Sequence, residues 1–300
     1  MVGQDPRAKQ ESISQVLFKI LFKKEIEQIQ EFSFDSDFTQ EGRCILGHGD
    51  FFLLRVLQFA TTLNYFSQWK KKFLDLLENA SADDYGLKVD WKNGIPNRFT
   101  LYCRYSTLNR KNWTNKIEKK LAASVWKKKL PSQFAKIFKA RDPFCLAIRI
   151  TKHSQPVFSS YINIHLSYND FKRSLTNFLI FYQWPERLFK EIMKDLVEIM
   201  PFNFKGCIGI ESNGKILKID IAGPSIGSIS KFLSKKKTTP EKIQFLVNQA
   251  RLHNQIQFNY FALKYSADHF ISWKAYLAIH GLRSPILPRA DGQEQTRKKN

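Results

Sequence analysis

The sequence predicts an α+β fold in which five β-hairpins alternate with helical segments and close into one antiparallel sheet with a polar interior. Three observations predict it. A hairpin-then-helix unit recurs along the 300 residues, with hairpins expected at Arg43–Phe59, Leu87–Tyr105, Phe144–Leu166, Cys207–Ala222 and Ile256–His280. Side chains within these hairpins alternate between an apolar face and a face of Arg, Lys, Tyr, Asn, His and Asp, as a sheet with one dry and one wet side requires. Between the hairpins run Lys-rich amphipathic stretches with helical spacing.

Taken in order, the chain opens with a helix expected over Glu11–Phe32, where Ile13, Val16, Leu17, Ile20 and Leu21 share a face. The first hairpin, Arg43–Phe59, is expected to turn at Gly47-His48-Gly49-Asp50, although its second half is apolar on both faces. Residues 60–80 read as a helix carrying Phe66, Trp69, Phe73, Leu76 and Leu77. The second hairpin turns through Asn93-Gly94-Ile95-Pro96 with its register open, and residues 111–140 are helical with a break at Pro131. The third pairs Phe144–Lys152 with Val157–Leu166, placing Leu146, Ile148 and Ile150 opposite in facing to Ala147, Arg149 and Thr151. Helices follow over about 169–199, broken at Trp184-Pro185, and about 226–253, broken near Thr238-Thr239-Pro240. The last hairpin turns at Ser266-Ala267-Asp268-His269. No linker divides the chain, so residues 1–282 are expected to form one domain and the basic tail 283–300 to be disordered.

The fourth hairpin supplies its own register. Asn213-Gly214 is the turn dipeptide that tolerates φ > 0 at both central positions. A two-residue turn there sets Ile210 opposite Leu217 and Ile208 opposite Ile219 on one apolar face. The other face then holds Cys207 opposite Asp220, Gly209 opposite Lys218, and Glu211 opposite Ile216.

Composition narrows the function. The chain is 43% hydrophobic with 26 Phe, enough for a sizeable core, and has no apolar run of the roughly 18 residues that a membrane helix needs. Its first residues lack the apolar stretch of a secretory signal. Cys44, Cys103, Cys145 and Cys207 each fall in a candidate strand, far apart, with no zinc-site spacing; a reducing, cytoplasmic setting is expected. A formal charge of +21 fits nucleic-acid binding without catalysis, which is the alternative reading. Against it, the Lys runs are dispersed over helix faces and chain breaks, where solvation explains them, and no RNA-recognition signature occurs; nucleic acid is not the expected partner. Either way the field attracts anions.

Over residues 40–281 the chain resembles the soluble aromatic prenyltransferases of the ABBA, or PT-barrel, family. The resemblance lies in the five-hairpin order and in local matches: Phe261-Ala262-Leu263-Lys264-Tyr265-Ser266 through Trp273-Lys274-Ala275-Tyr276, the strand around Asn163, and Gly214-Lys215-Ile216-Leu217-Lys218. It implies a ten-stranded antiparallel β-barrel ringed by helices in ααββ repeats. It also implies transfer of a dimethylallyl or geranyl group from an allylic diphosphate to an electron-rich aromatic acceptor, either a small molecule or a peptide side chain. Such chemistry needs fixed cations for the leaving diphosphate, aromatic walls for the carbocation and a base for the final proton.

The resemblance points to Lys218 as a diphosphate ligand, followed by Lys264 and Lys274; strand parity adds Arg55, Arg104 and Arg149. Tyr102, Tyr161 and Tyr276 would shield the cation, with Asn163 at a position often Tyr in bacterial members, and His165 nearby. Glu211 or Asp220 would be the base, with a structural salt-bridge cluster beside Lys218 as the open alternative. No cofactor is expected. Mg²⁺ is doubted because the segment Arg55-Val56-Leu57-Gln58-Phe59 lacks the carboxylate of Mg²⁺-dependent members, and Asp83-Asp84 lacks the third Asp of an Asp-Asp-x-x-Asp motif.

Overall fold

A computed structural model describes residues 13–28, 30–36, 40–63, 66, 70–71, 74, 82, 84–92, 95–104, 131–140, 145–151, 154–200, 203–212, 214–252, 255 and 257–278. The basic tail, the stretch 111–130 and most of 64–81 lie outside them, as does Asn213 of the fourth turn. Ten antiparallel strands pair into a closed barrel: β1 (Gln30–Asp35), β2 (Gln40–Gly47), β3 (Asp84–Lys92), β4 (Ile95–Arg104), β5 (Cys145–Thr151), β6 (Ser154–Ser167), β7 (Asn203–Glu211), β8 (Ile216–Ala222), β9 (Tyr260–Ser266) and β10 (Phe270–Ala278). Each pairs with its sequence neighbours, and β1 closes the ring on β10, with Phe32 opposite Leu277 and Ser33 opposite Tyr276.

Helices cover the outside: α1 (Ile13–Leu21), α2 (Lys23–Gln28), α3 (Gly49–Thr61), α4 (Pro131–Ile137), α5 (Tyr168–Tyr182), α6 (Arg187–Ile199), α7 (Ile226–Lys235) and α8 (Pro240–Leu252). The outward strand residues, such as Ile208, Ile219 and Leu263, pack with Leu175, Ile192, Leu196 and Phe232 of these helices into one continuous core. Phe171 of α5 stacks on Phe204 of β7 at 4.5 Å between ring centres. Helix ends carry their expected chemistry: Ser167 accepts from the Asp170 amide at 3.1 Å, and α5 stops at Gln183 in the left-handed conformation, one residue before Trp184-Pro185. No helix among the described residues is long and apolar enough to cross a membrane.

The fourth hairpin has the expected register, with Ile210 opposite Leu217, Ile208 opposite Ile219, Gly209 opposite Lys218 and Cys207 opposite Asp220. Gly214 takes φ +68 in its turn, and Trp184 donates its indole N–H to the Gly214 carbonyl at 3.1 Å. The last hairpin turns where expected, the Ser266 amide donating to the His269 carbonyl at 3.0 Å.

The first hairpin corrects the sequence reading. It is formed by Gln30–Asp35 and Gln40–Gly47, so the N-terminal helix ends at Gln28 and not at Phe32, and residues 49–61 form α3 and not a strand. The reason is legible in the burial: Phe52, Val56, Phe59 and Ala60 are buried at i, i+4, i+7 and i+8, one helical stripe. Exposed Phe51 and Leu54 add apolar residues to both faces of the apparent strand and conceal that stripe. The third hairpin also turns tighter than expected, β6 beginning at Ser154.

Candidate active site

Antiparallel pairing in chain order brings the ends of β1, β3, β5, β7 and β9 and the starts of β2, β4, β6, β8 and β10 to one end of the barrel, and below that end a cavity of ≈ 330 Å³ occupies the lumen. Alternation decides what lines it. Odd and even positions of each strand face opposite ways, so the same parity that buries Leu87, Val89 and Trp91 against the helices turns Lys88 and Asp90 inward. Cross-strand pairing groups the inward residues into tiers. Toward the turns lie Asp90 opposite Arg98, and Lys264 opposite Ser272; deeper are Tyr102 opposite Ala147 and Tyr161 opposite Gly209. Below these, Cys44, Cys145, Cys207 and Tyr260 pack with the tyrosines into a small apolar floor.

Among the described residues six cations, Lys88, Arg98, Arg149, Lys218, Lys264 and Lys274, line this cavity, against three carboxylates, Asp35, Asp90 and Glu211. Lys274 reaches Asp90 at 3.0 Å, and Arg98 lies 3.6 Å from the other Asp90 oxygen. Burial raises the Asp90 pKa, but Lys274, Lys88 and Arg98 outweigh it and hold the carboxyl well below its ordinary range. The reach from β10 to β3 crosses β2 at Gly42: a Cβ there would sit 2.3 Å from Asp90 Oδ1 and 2.4 Å from Ser33 Oγ. Across the lumen, Arg149 donates to Glu211 Oε1 at 2.7 Å.

Lys218 sits among the tyrosine rings. It donates to the Tyr276 hydroxyl at 3.0 Å and lies 2.8 Å from Asp220 Oδ1, off line for a hydrogen bond, so among the described residues neither buried Asp220 oxygen has a hydrogen-bond donor. Its ammonium stands 5.1 Å from the Tyr276 ring centre and 5.5 Å from that of Tyr161; Lys88 stands 4.5 Å from the Tyr276 ring. Burial opposes the charge on Lys218, yet Asp220 and the surrounding tyrosine hydroxyls raise its pKa well above the ordinary lysine value. Lys264 is the opposite case: burial, reinforced by Arg149, lowers it to about 8. Burial also pushes the Tyr161 phenol up to about 12, so it remains protonated at neutral pH.

Of the residues singled out from sequence, the cavity brings together Lys218, Lys264, Lys274, Arg149, Glu211, Tyr102, Tyr161 and Tyr276. Arg55 belongs elsewhere: it lies on α3, where it pairs with Glu25 and donates to the Leu21 carbonyl at 3.0 Å, clamping α3 to the N-terminal helices. Its assignment to a lumen-facing strand is thereby corrected. Arg104 is at the far end of β4, 4.0 Å from Asp84, outside the cavity lining. Asn163 and His165 share the Tyr161 parity but are exposed beyond the floor. Asp220 lies under Lys218, 1% exposed, and does not line the cavity. Lys88, Asp90 and Arg98 were missed, although the alternation Gly86, Lys88, Asp90 against Leu87, Val89, Trp91 carries the signal. Among the described residues no group of three or more His, Cys, Asp or Glu side chains could hold a metal ion.

No protein-family model matches the chain, and no curated protein matches it in sequence. Solved structures match its architecture. The 6-dimethylallyltryptophan synthase from Micromonospora olivasterospora, solved in complex with DMASPP and Trp, aligns over 87% of this chain and 83% of its own with a TM-score of 0.58. The fold is the prenyltransferase barrel. PriB, solved as a binary complex with product diphosphate, aligns over 87% of this chain and 82% of its own with a TM-score of 0.56. AnaPT from Neosartorya fischeri also covers 87% of this chain, and 79% of its own, at 0.56. Sequence identity to the three is 11%, 10% and 11%, so the PT barrel is shared as a fold while the chemistry must be argued from this chain's own residues.

Proposed function

We propose that the protein transfers a prenyl group, dimethylallyl or geranyl, from an allylic diphosphate to an electron-rich aromatic acceptor. The observation that carries this reading is the joint presence of six inward cations and three tyrosine rings in one lumen cavity. It occurs in a fold whose solved examples include structures holding an allylic thiolodiphosphate analogue with tryptophan, and product diphosphate.

The roles follow from position. Lys218, Lys264 and Lys274, with Lys88, Arg98 and Arg149, receive the diphosphate and stabilise the charge that develops as the allylic C–O bond breaks. Fixed side-chain cations supply the compensation a divalent ion would otherwise give, so the reaction is proposed to run without metal. Tyr102, Tyr161 and Tyr276 present ring faces to the allylic cation and keep water from it. An aromatic carbon of the acceptor then bonds to the prenyl carbon, and the arenium intermediate gives its proton to a carboxylate. Glu211 is that base, because it lines the cavity and faces two cations, Arg149 and Lys264, whereas Asp90 is held by three. Asp220 is the counter-ion that fixes Lys218 in place.

The test is incubation of the protein with dimethylallyl and geranyl diphosphates and a panel of indoles, phenols and aromatic peptides, read by mass spectrometry. One acceptor gaining an isoprenyl unit supports the reading, and Glu211→Gln should slow that product while leaving diphosphate-analogue affinity within about twofold. A panel without prenylated product from a protein that also fails to bind the diphosphate would sink it.

A further inference from the structure

We propose that Gly209 is a positioning residue: by carrying no side chain it lets the Tyr161 ring lie across β7, and so fixes how much of the lumen is left for the prenyl group. The inference rests on the prenyl-transfer reading and adds to it the residue that sets the fit of the donor.

Gly209 stands inside β7, opposite Tyr161 of β6 on one side and Lys218 of β8 on the other. A Cβ at this position would point into the lumen with those two side chains. Its place is already taken: the Cβ would lie 2.5 Å from Tyr161 Cε1, 2.8 Å from Cδ1 and 3.2 Å from Cζ. The ring therefore leans from its own strand over the backbone of the next. Conformation does not call for glycine here. Gly49, Gly214 and Gly223 take positive φ, whereas Gly209 does not and lies in a regular strand, where glycine is a weak choice. What it supplies is room. Gly86, opposite Tyr102 on β3, makes the contrast, since a Cβ there would meet Tyr102 Cβ at 3.4 Å, an ordinary contact.

The ring has little freedom to give way sideways. Buried Cys145 is its cross-strand partner on β5, and the Tyr102 ring centre stands 6.1 Å away. Lifting the ring off β7 therefore sends it into the cavity, which Tyr161 already lines. The Lys218 ammonium is 5.5 Å from the centre of the same ring. A prenyl group on a diphosphate held by Lys218 passes Tyr161 on its way toward the apolar floor of Cys44, Cys145 and Cys207. Room lost to a displaced ring is thus lost to the hydrocarbon end of the donor and not to its phosphates.

The test is calorimetry on the full chain with inorganic diphosphate, dimethylallyl thiolodiphosphate and geranyl thiolodiphosphate, beside urea unfolding of each variant. Gly209→Ala should weaken the dimethylallyl analogue about threefold or more and the geranyl analogue about tenfold or more, as crowding of a packed site does. Affinity for inorganic diphosphate should stay within about twofold, and Gly86→Ala should bind all three ligands as wild type does. Added to Tyr161→Ala, which removes the ring, Gly209→Ala should change neither stability nor analogue affinity. Prenyl analogues that keep their affinity in Gly209→Ala overturn the proposal, as does a loss that extends to inorganic diphosphate. An effect undiminished in the Tyr161→Ala background also overturns it, since the substitution would then act through something other than the ring. Should Gly209→Ala alone not fold, unfolding of Tyr161→Ala with and without it decides between the same two outcomes. A wild type that binds neither prenyl analogue contradicts the prenyl-transfer reading instead, and the unfolding comparison still tests the seating of Tyr161.

Discussion

Lys218 shows how one side chain can hold charge inside a barrel. Its charge survives burial because Asp220 lies beneath it and tyrosine hydroxyls surround it. Substituting Lys218 by Met leaves Asp220 charged and unpaired, and should lower stability by up to about 3 kcal/mol, less than for a fully buried pair because Lys218 is partly exposed. Diphosphate-analogue affinity should fall about tenfold or more. Adding Asp220→Asn should restore much of the urea-unfolding stability without restoring affinity; recovery of both would mean that Lys218 is only a structural partner. Lys264 titrates differently. Its pKa is lowered to about 8, below the unfolded lysine value of about 10.4, so the unfolded chain binds the extra proton between those pH values. Folding stability from this group therefore rises from pH 8 to 10, while affinity for a diphosphate falls over the same window as the cation is lost. Calorimetry across that range should show proton uptake on binding, and Lys264→Met should remove it.

At the scale of elements, the barrel depends on glycines where side chains cross. Gly42 of β2 leaves the gap through which Lys274 of β10 meets Asp90 of β3. Gly42→Ala places a Cβ against Asp90, Ser33 and the Lys88 stem, and should cost about 1–3 kcal/mol by overpacking. It should also weaken diphosphate-analogue binding, whereas Gly227→Ala, on an exposed turn of α7 where the Cβ would meet only Ser225 Oγ at 4.0 Å, should change neither. The legibility of the site followed the legibility of each hairpin. The Asn213-Gly214 turn specifies the facing of every β7 and β8 side chain, and it put Lys218, Glu211 and Asp220 on one face from sequence alone. The Asn93-Gly94-Ile95-Pro96 turn left the second register open, and with it Lys88, Asp90 and Arg98. The first hairpin failed because Gln30–Asp35 follows directly on a helix, and because Phe51 and Leu54 give α3 apolar residues on its solvent side. Arg55 was misplaced with it. That Asp220 lies beneath the cavity and not in its wall depends on depth along the barrel axis, which parity does not encode.

Across the whole molecule, closure makes the interior one cooperative unit. Cys44, Cys103, Cys145 and Cys207 are all buried, and burial pushes the Cys103 thiol up to about 12 and raises those of Cys145 and Cys207 well above the ordinary thiol value. Labelling of all four by a thiol reagent should therefore track the urea-unfolding transition; rapid labelling of the native protein would mean that the barrel opens locally. The basic charge of the chain takes on meaning only with the fold: six of its cations converge inside the barrel, where a small polyanion fits and a nucleic-acid duplex does not. The most direct test of that convergence is calorimetric titration of the full-length protein with dimethylallyl thiolodiphosphate in the presence of EDTA. The lumen cations predict micromolar binding that EDTA leaves intact and Lys218→Met weakens. Absence of binding, or binding that appears only when Mg²⁺ is added, would contradict the assignment of the diphosphate to these lysines and arginines.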